Sequence, residues 1–355
     1  MSVLLIDGES PFSSSICYCL SAANRPIHLG STTRFPDARF SRLRKKFCWW
    51  QEESQLLTKI RDFALQERVD VIMACSDSGI RFLSENRKEL ASFAALAGTP
   101  SVDILAIAGD KAKFAEFLGR VRLPHPETAI AAGRELPGHL PRFPVLLKPA
   151  RGSGGAGIIR FDDVEALRLF VNDGGLGERH WILQSYLYGR DIDCSLLCRN
   201  GDVLAYTIQS SADLPARSFA PIGPVEFVED AEVLKLARKL VGELQWTGIA
   251  HIDMLRAEAD GCLYLIEMNG RYWSSLIGSF RAGVNFPELA CLDALSKTFL
   301  RPTQKSIRFV RGGLGTAWRE ARHPAETTLS WRLLDPGPLL ASYVASKTST
   351  LPTAT

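Results

Sequence analysis

The sequence predicts an α/β fold, in which a parallel sheet with helices is followed by a module of paired strands. In about the first hundred residues, strand-like runs such as VLLID and VDVIMA alternate with a helical pattern. That pattern, in SQLLTKIRDFALQERV, places apolar side chains on one helical face: Leu56, Leu57, Ile60, Phe63 and Ala64. From about residue 106 to residue 300, the strand-like runs come in neighbouring pairs with helices between the pairs.

The composition is that of an ordinary globular protein with two or three domains. Of 355 residues, 46% are hydrophobic and 23% are charged. The net charge of +3 is too small and too dispersed to argue for binding to nucleic acid or to a membrane surface. No apolar run approaches the ~18 residues of a membrane span, and the N-terminus reads as a strand rather than as a signal peptide.

The eight cysteines lack the spacing of a zinc site or of a disulfide framework. Cys19, Cys194 and Cys198 lie in apolar runs, so we expect them to behave as small buried hydrophobic residues. These features indicate a reducing, cytoplasmic compartment.

Polar residues follow the first two buried strand-like runs. Ligands of parallel sheets bind beyond the carboxyl ends of the strands, so residues 7–9 and 75–77 are candidate rim positions. No G-x-G-x-x-G follows the first strand, and a dinucleotide site is therefore poorly supported here.

A glycine-rich stretch, VLLKPARGSGGAGIIRF, begins at Val145. A phosphate-binding P-loop or a dinucleotide turn would join a strand to a helix, whereas GSGGAG is followed by the strand-like IIRF. The stretch therefore predicts a hairpin flap, with Lys148 on the incoming strand and amides able to cover a polyphosphate. We expect this flap to be mobile without nucleotide.

Three helices are predicted in the paired-strand module. The first, in DKAKFAEFLGR, should close at Gly119, and the second, in DDVEALRLFVND, has a capping pattern at Asp162 and Glu165. The third, in EDAEVLKLARKLVGEL, should bury one face: Val233, Leu236, Ala237, Leu240 and Leu244.

A second hairpin is predicted in GIAHIDMLRAEADGCLYLIEMNGRYW, with its turn at Asp260-Gly261. Asp253 and Glu267 are equally far from Asp260, so we expect them to lie opposite each other, with Asn269 on the same face. Opposed carboxylates repel unless a cation lies between them, and these oxygen ligands suit Mg²⁺. Arg271 can add a positive charge on that face. We assign His251 no catalytic role, because a lone histidine beside such a pair is more often structural.

The segment WILQSYLYGRDIDCSLLCRNGDVLAY predicts a strand ending at Gln184, a short crossing, and a second strand with a hairpin at Asn200-Gly201. Free backbone groups of such a crossing can pair with the edge of an adenine. Asp191 or Asp193 could then accept hydrogen bonds from ribose hydroxyls.

The lysine with its glycine flap, the crossing segment and the hairpin ending in EMNGR occur in a fixed order. Together they resemble the ATP-grasp superfamily, in its carboxylate–amine ligase and carbamoyl-phosphate-synthase-like branch. The resemblance implies a pre-ATP-grasp α/β domain over residues 1–105, an ATP-grasp module over 106–300 with a flap-bearing lobe at about 120–187, and a C-terminal extension over 301–355 whose last residues are frayed.

The resemblance also implies a role for each matching residue. Lys111 and Lys148 are the nucleotide-binding lysines, and Arg271 is the arginine that steadies the transferring phosphoryl group. The flap comprises Ser153, Gly154 and Gly155, and the adenine-binding crossing comprises Gln184, Ser185, Tyr186 and Leu187. Asp191 takes the ribose position, and the metal ligands are Asp253, Glu267 and Asn269. Many relatives have glutamate at the crossing, where this chain has Gln184-Ser185, so backbone contacts are expected to serve the adenine.

The implied activity is an ADP-forming ligase that activates a small-molecule carboxylate as an acyl phosphate and joins it to an amine. ATP and Mg²⁺, as two ions or with Mn²⁺ instead, are the implied cofactors, and a homodimer is common in the superfamily. A phosphotransferase and a nucleotide-binding protein without turnover are the alternatives. The acceptor pocket is expected near Arg217, Arg311 and residues 75–77.

Overall fold

The computed structural model describes residues 1–51, 53–131, 135–152, 154–177, 179–211, 223–310 and 327–348. It confirms a mixed α/β fold built on three sheets. None of the helices in these ranges is long and apolar enough to cross a membrane.

The N-terminal unit is a five-stranded parallel sheet with the order β3-β2-β1-β4-β5. Its strands are β1 (Val3–Leu5), β2 (Ile27–Ser31), β3 (Lys46–Trp49), β4 (Val71–Met73) and β5 (Ala95–Leu96). Its helices are α1 (Ser13–Ala22), α2 (Leu56–Glu67), α3 (Asp77–Glu85) and α4 (Arg87–Leu90), with short 3₁₀ turns at Asp37–Phe40 and Glu53–Gln55. The strands β1, β2 and β4 are fully buried, which agrees with the apolar runs that predicted β1 and β4, whereas β2 was not predicted.

Two helices, α5 (Val102–Ala108) and α6 (Lys111–Arg120), lead to a small lobe. This lobe is a four-stranded antiparallel sheet of order β6-β9-β7-β8 with one helix. Its elements are β6 (Thr128–Ala131), β7 (Val145–Pro149), β8 (Ile159–Phe161), α7 (Val164–Asn172) and β9 (Trp181–Ser185). The glycine-rich stretch thus joins two antiparallel strands, β7 and β8, as predicted.

Two helix ends differ from prediction. The helix α7 is capped by Asp163, whose carboxylate accepts from the Ala166 N–H at 2.9 Å, while Asp162 pairs with Arg160 on β8. The cap therefore lies one residue later than the capping pattern suggested. The helix α6 continues past Gly119 to Arg120.

The large lobe is a six-stranded antiparallel sheet of order β14-β13-β10-β11-β12-β15. Its strands are β10 (Gly189–Arg199), β11 (Asp202–Ser211), β12 (Pro224–Phe227), β13 (Gly248–Ala257), β14 (Leu263–Asn269) and β15 (Arg308–Val310). Its helices are α8 (Ala231–Leu244), α9 (Leu276–Arg281) and α10 (Phe286–Ala294). The predicted face of α8 is buried except at Leu236, which is only partly covered.

The residues after 300 return to both earlier parts of the chain. The strand β15 completes the large sheet, and α11 (Leu329–Leu334) and α12 (Pro336–Thr348) follow it. Trp331 lies in one core with Val3 and Leu5 of β1, and Asp335 binds Ser41. The division of the chain at residues 105 and 300 stays a prediction, and the predicted fraying of residues 349–355 lies outside the described ranges.

The N-terminal sheet and the large lobe share one hydrophobic core. Val3 and Leu5 of β1 lie in the same buried cluster as Leu197 of β10, Ile277 of α9 and Phe309 of β15. The small lobe has a separate core, which includes Val145, Leu147 and Leu183. The flap-bearing lobe therefore packs independently, whereas the other two units are fused through their interiors.

The described cysteines form no disulfides, and Cys19, Cys194 and Cys198 are buried as predicted.

Candidate functional site

The carboxylate hairpin brings Asp253 and Glu267 directly opposite each other on β13 and β14, as predicted. The prediction assumed regular pairing around Asp260, whereas the observed register depends on a bulge. Next to the turn, Met254 pairs with Leu265, so the strands there are centred between residues 259 and 260 rather than on Asp260. A β-bulge leaves Ile266 unpaired and shifts the register by one residue, which brings Glu267 opposite Asp253.

This bulge also sets the faces of β14. Leu263, Leu265 and Met268 enter the core of the large lobe, while Glu267 and Asn269 take the opposite face. The Asn269 amide lies 3.4 Å from an oxygen of Asp253. Burial, followed by the charges of Asp193 and Glu267, raises the pKa of Asp253 well above its usual value. Several hard oxygen donors with mutual repulsion fit a Mg²⁺ site, because a cation between them removes that repulsion.

Two lysines reach this site from different elements. Lys111 is the first residue of α6, after the cap Asp110, and its Nζ lies 2.6 Å from the Gly152 oxygen and 3.3 Å from Glu267 Oε1. It therefore links the flap to the metal-ligand candidate Glu267. Lys148 is buried on β7, and its Nζ donates to Gln184 Oε1 at 2.7 Å.

Burial lowers the pKa of Lys148 to about 8, with the nearby charge of Lys111 acting in the same direction and Glu267 opposing it. Gln184 is fixed by a second bond, from its Nε2 to Thr128 Oγ1 at 3.1 Å. The Gln184 side chain is thus occupied by Lys148 and Thr128.

The flap lies over these lysines. A small cavity between flap and lobe is lined by Lys111, Lys148, Arg151, Gly152, Gly155 and Glu267. Gly154 and Gly155 have φ values of +71° and +76°, which side-chain-bearing residues rarely adopt. Ser153, a predicted flap residue, lies outside the described residues, as do Arg217 and Arg311.

The crossing segment between the lobes is held by its backbone. The Ser185 N–H donates to the Glu127 oxygen and the Tyr186 N–H to the Pro144 oxygen, and the Tyr186 ring carries the guanidinium of Arg160 at 4.6 Å. Leu187 follows before β10 begins. Asp191 is exposed on β10, and Asp193, two residues further on, is half-buried beside the carboxylate hairpin.

Arg271 joins the large lobe to the N-terminal unit. Its Nη2 lies 3.2 Å from Asn269 Oδ1 and its Nη1 lies 2.9 Å from the Tyr272 oxygen, while its Nε lies 3.0 Å from Asp77 Oδ2. The guanidinium also stacks over the Phe12 ring at 5.1 Å. The predicted rim of the parallel sheet therefore reaches the carboxylate hairpin, through Asp77.

The neighbouring rim residues have a structural task. The buried Asp7 carboxylate accepts from the N–H groups of Cys75 and Ser76, and Ser76 caps α3 at the Gly79 N–H. Cys75 is fully buried against Asp7, so the expectation that it faces a pocket is wrong.

A polar cluster that was not predicted from the sequence adjoins Asp253. His251 Nε2 lies 3.2 Å from Asp253 Oδ1, its Nδ1 lies 2.9 Å from Ser195 Oγ, and its ring stacks on Trp273. Gln209 donates to Asp193 at 2.9 Å. The period-two alternation of Asp191, Asp193 and Ser195 with apolar residues on β10 is the signal that places this cluster on the site face.

Comparison with known proteins bears on this geometry. Residues 108–275 match the family model of the ATP-grasp domain. This stretch of the chain is thus similar to the ATP-grasp domain. The matched region spans the flap, the crossing and the carboxylate hairpin, and the predicted resemblance is confirmed.

Two curated relatives agree with this assignment. The chain is 27% identical over 224 residues to the carbamoyl phosphate synthase large chain of Archaeoglobus fulgidus, covering 60% of this chain and 19% of that protein. It is 27% identical over 165 residues to the D-alanine–D-alanine ligase of Streptomyces griseus, covering 41% and 42% of the two chains. This chain thus matches less than half the length of either relative.

Solved structures share the fold. An N5-carboxyaminoimidazole ribonucleotide synthetase, crystallised as its ADP complex, has a TM-score of 0.68 at 12% identity, covering 90% of this chain and 84% of its own. The L-amino acid ligase of Bacillus licheniformis has a TM-score of 0.60 at 16% identity, covering 85% and 74%. At these identities, the likeness establishes the ATP-grasp fold alone.

Proposed function

We propose that this protein is an ADP-forming carboxylate–amine ligase that acts on small molecules. The observation that carries the proposal is the convergence of Lys111, Lys148 and Glu267 in one cavity beneath the glycine flap, with Asp253 opposite Glu267 and Arg271 bonded to Asn269. Three cationic side chains facing an acidic pair suit a nucleoside triphosphate with its divalent metal. The names of the relatives and structural neighbours, several of them ligases, support the same reaction class.

The reaction would proceed in two steps. A carboxylate oxygen of the substrate attacks the γ-phosphorus of ATP, and ADP leaves, which gives an acyl phosphate. The amine nitrogen then attacks the acyl carbon, phosphate leaves with the bonding electrons, and the amine proton passes to solvent. When bound, Mg²⁺ supplies positive charge beside the phosphates; two ions are expected, and Mn²⁺ can take their place.

The residues of the chain would hold and neutralise these groups. Asp253, Glu267 and Asn269 would hold the metal, and Lys148 and the amides of Gly154 and Gly155 would donate to the phosphates. Lys111, which now bridges Gly152 and Glu267, would turn to the nucleotide. Arg271, fixed by Asn269 and Asp77, would contact the transferring phosphoryl group, where preorganised positive charge is most effective.

The nucleoside would lie along the crossing. Backbone groups of the crossing, which comprises Gln184, Ser185, Tyr186 and Leu187, would pair with the adenine edge, and Asp191 would accept from the ribose. The flap would exclude water, because an acyl phosphate hydrolyses readily.

The test follows ADP and phosphate separately while candidate acids, beginning with amino acids, are supplied with and without an amine. Hydroxylamine serves as a general trap, since it converts an acyl phosphate to a hydroxamate. We expect amine-dependent phosphate release together with hydroxamate formation. A stable phosphorylated product would instead identify a phosphotransferase, and nucleotide binding with no turnover across the panel would contradict the proposal.

The metal assignment has a matched control in the same hairpin. We expect Glu267→Gln to lower turnover at least about a hundredfold, because it removes a charge at the reacting phosphates. Glu258→Gln changes an exposed glutamate near the turn and should leave turnover unchanged. Equal activities in the two variants would show that Glu267 does not hold the metal.

A further inference from the structure

Residues 34–46 carry a concentration of positive charge that the net charge of the chain conceals. This segment, RFPDARFSRLRKK, holds six basic residues and one acidic residue, a net charge of +5. Because the whole chain carries +3, the remainder of the chain carries −2. The excess positive charge is therefore confined to one segment, at the edge of the N-terminal sheet.

Three of these arginines form an alternating stack with aromatic rings, called here the arginine ladder. Arg34 lies over Trp49 and Phe35, at 5.1 and 5.2 Å. Arg39 lies 4.9 Å from both Phe35 and Phe47. Arg44 then lies over Phe47 at 5.9 Å. Each interaction of this kind contributes about 0.5–1 kcal/mol at an exposed site, and the stack fixes the guanidiniums in place.

Backbone contacts hold the arginine ladder further. Arg39 donates to the Arg34 oxygen at 2.6 Å, and Arg44 donates to the Arg39 oxygen. The C-terminal helices brace the same segment, since Asp335 accepts from Ser41 and from the Arg42 N–H. A preorganised cationic surface loses little conformational entropy when it binds an anion.

The cations of this surface have few internal partners. Lys46 pairs with Glu67, but Arg34, Arg39, Arg42, Arg44 and Lys45 form no ion pair with any carboxylate in the part of the chain that the structure describes. Three of them, Arg34, Arg42 and Lys45, are exposed. Their charge is thus available to a partner of opposite sign.

The strand beneath the ladder offers backbone groups as well. β3 is the edge strand of the parallel sheet and pairs with β2 alone among the described strands. An open groove of about 370 Å³ continues from it, lined by Trp49, Trp50 and Phe63 among others. An unpaired edge can accept an extended peptide as an added strand, with affinity from main-chain hydrogen bonds.

We infer that β3 and the arginine ladder form a docking site for an extended acidic segment of a partner polypeptide. A polypeptide suits both features, because its backbone can pair with β3 while its carboxylates reach the guanidiniums. A single-stranded nucleic acid suits them less well, since it has no peptide backbone to pair with β3, and Phe35 and Phe47 already carry two guanidiniums each.

The test uses a fluorescent peptide of about ten alternating glutamate and threonine residues, a length that suits one strand. Binding is followed by anisotropy against the full chain at low and high salt. We expect saturable binding that weakens with salt, together with slower hydrogen exchange over Lys46–Trp49. The same peptide N-methylated at alternate residues keeps its charge but loses donors, and it should bind at least about tenfold more weakly.

Variants locate the site. Arg34→Ser with Lys45→Ser, one in the arginine ladder and one beside β3, should weaken binding of the peptide about tenfold while the ATP turnover of the protein stays unchanged. Lys235→Ser with Lys239→Ser, on the exposed side of α8, removes equal charge elsewhere and should leave peptide binding unchanged. Thermal unfolding of both double variants checks that the fold is intact.

Three results would each overturn the inference. The first is equal binding of the N-methylated peptide, which would mean simple charge attraction without strand pairing. The second is tighter binding of an oligothymidylate or of anionic lipid vesicles than of the peptide, and the third is no difference between the two double variants.

Discussion

At the scale of single residues, the site depends on side chains whose ordinary chemistry is changed by their surroundings. Lys148 is the clearest case, because burial lowers its pKa to about 8 and a neutral glutamine oxygen is its hydrogen-bond partner. An amine with this pKa loses its charge in mildly alkaline solution. Phosphate oxygens bind the charged form, so nucleotide binding and protonation of Lys148 are expected to be linked.

We therefore predict that ATP affinity falls as the pH rises through 8. Below that pH Lys148 is already charged, whereas above it binding must first take up a proton, which costs up to about 1.4 kcal/mol per pH unit. Calorimetry between pH 7 and 9.5 measures this dependence and the proton uptake. Lys148→Met should bind more weakly and lose the dependence. A wild-type affinity that stays flat over the range would contradict the prediction.

At the scale of elements, the loop between β4 and α3 connects the parallel sheet to the carboxylate hairpin. Asp7 fixes the start of α3, and Asp77 in its first turn reaches Arg271 just beyond β14. Arg271 keeps two further oxygen partners in the large lobe. Asp77 is thus one of three partners that orient the Arg271 side chain.

We predict that Asp77→Asn lowers kcat about threefold to tenfold and leaves the KM for ATP unchanged, because only the aim of Arg271 toward the phosphoryl group is altered. Asp103→Asn is the matched control, since Asp103 is another exposed aspartate in the first turn of a helix, α5. Steady-state kinetics on both variants test this. If the two variants behaved alike, Asp77 would have only the electrostatic effect of an acidic residue at the start of a helix.

At the scale of the whole molecule, the N-terminal unit and the large lobe meet backbone to backbone. A Cβ added at Gly248, where φ is +107°, would lie 2.3 Å from the Gly98 oxygen. With the shared core described above, this contact should make the two units unfold together.

We predict that Gly248→Ala destabilises both units at once, by about 3 kcal/mol from strain and displaced backbone. Urea unfolding followed by hydrogen exchange should show β1 and β13 losing protection together, at a lower midpoint than in the wild type. Gly242→Ala is the control, because a Cβ at this position in α8 meets nothing within 4 Å and should leave the midpoint unchanged or raise it. Loss of protection in β13 alone would mean that the units are independent.

Much of this organisation is predictable from local sequence. The parallel sheet, the flap between two strands and the hairpin at Asn200-Gly201 follow from periodicity and turn residues. The facing of Asp253 and Glu267 was predicted correctly, but it depends on the bulge as well as on the turn. Family resemblance supplied the roles, which remain proposals. Periodicity could not reveal the bulge at Ile266, since a bulge interrupts the very alternation from which strands are recognised.

Contacts between segments that are distant in the sequence could not be predicted either. The stacking of Arg34 on Trp49, the pairing of Asp77 with Arg271 and the return of Trp331 to the first strand join segments that no local pattern relates. The charge of residues 34–46 is a different case, because these residues are contiguous and a local count of charges along the sequence would have found them.

The bulge at Ile266 has an implication for how this site can change over generations. A point substitution in the hairpin removes one ligand at a time and leaves the others in place. Loss of the single codon for Ile266 would straighten the strand and pair Asp253 with the residue that follows Leu265, which would then be the glutamate. The two carboxylates would still meet, without the local twist of the bulge. A codon gained or lost between residues 257 and 262 would shift the whole strand by one residue and separate the two carboxylates. We therefore expect relatives of this protein to tolerate loss of a residue at the bulge more readily than a change of length at the turn.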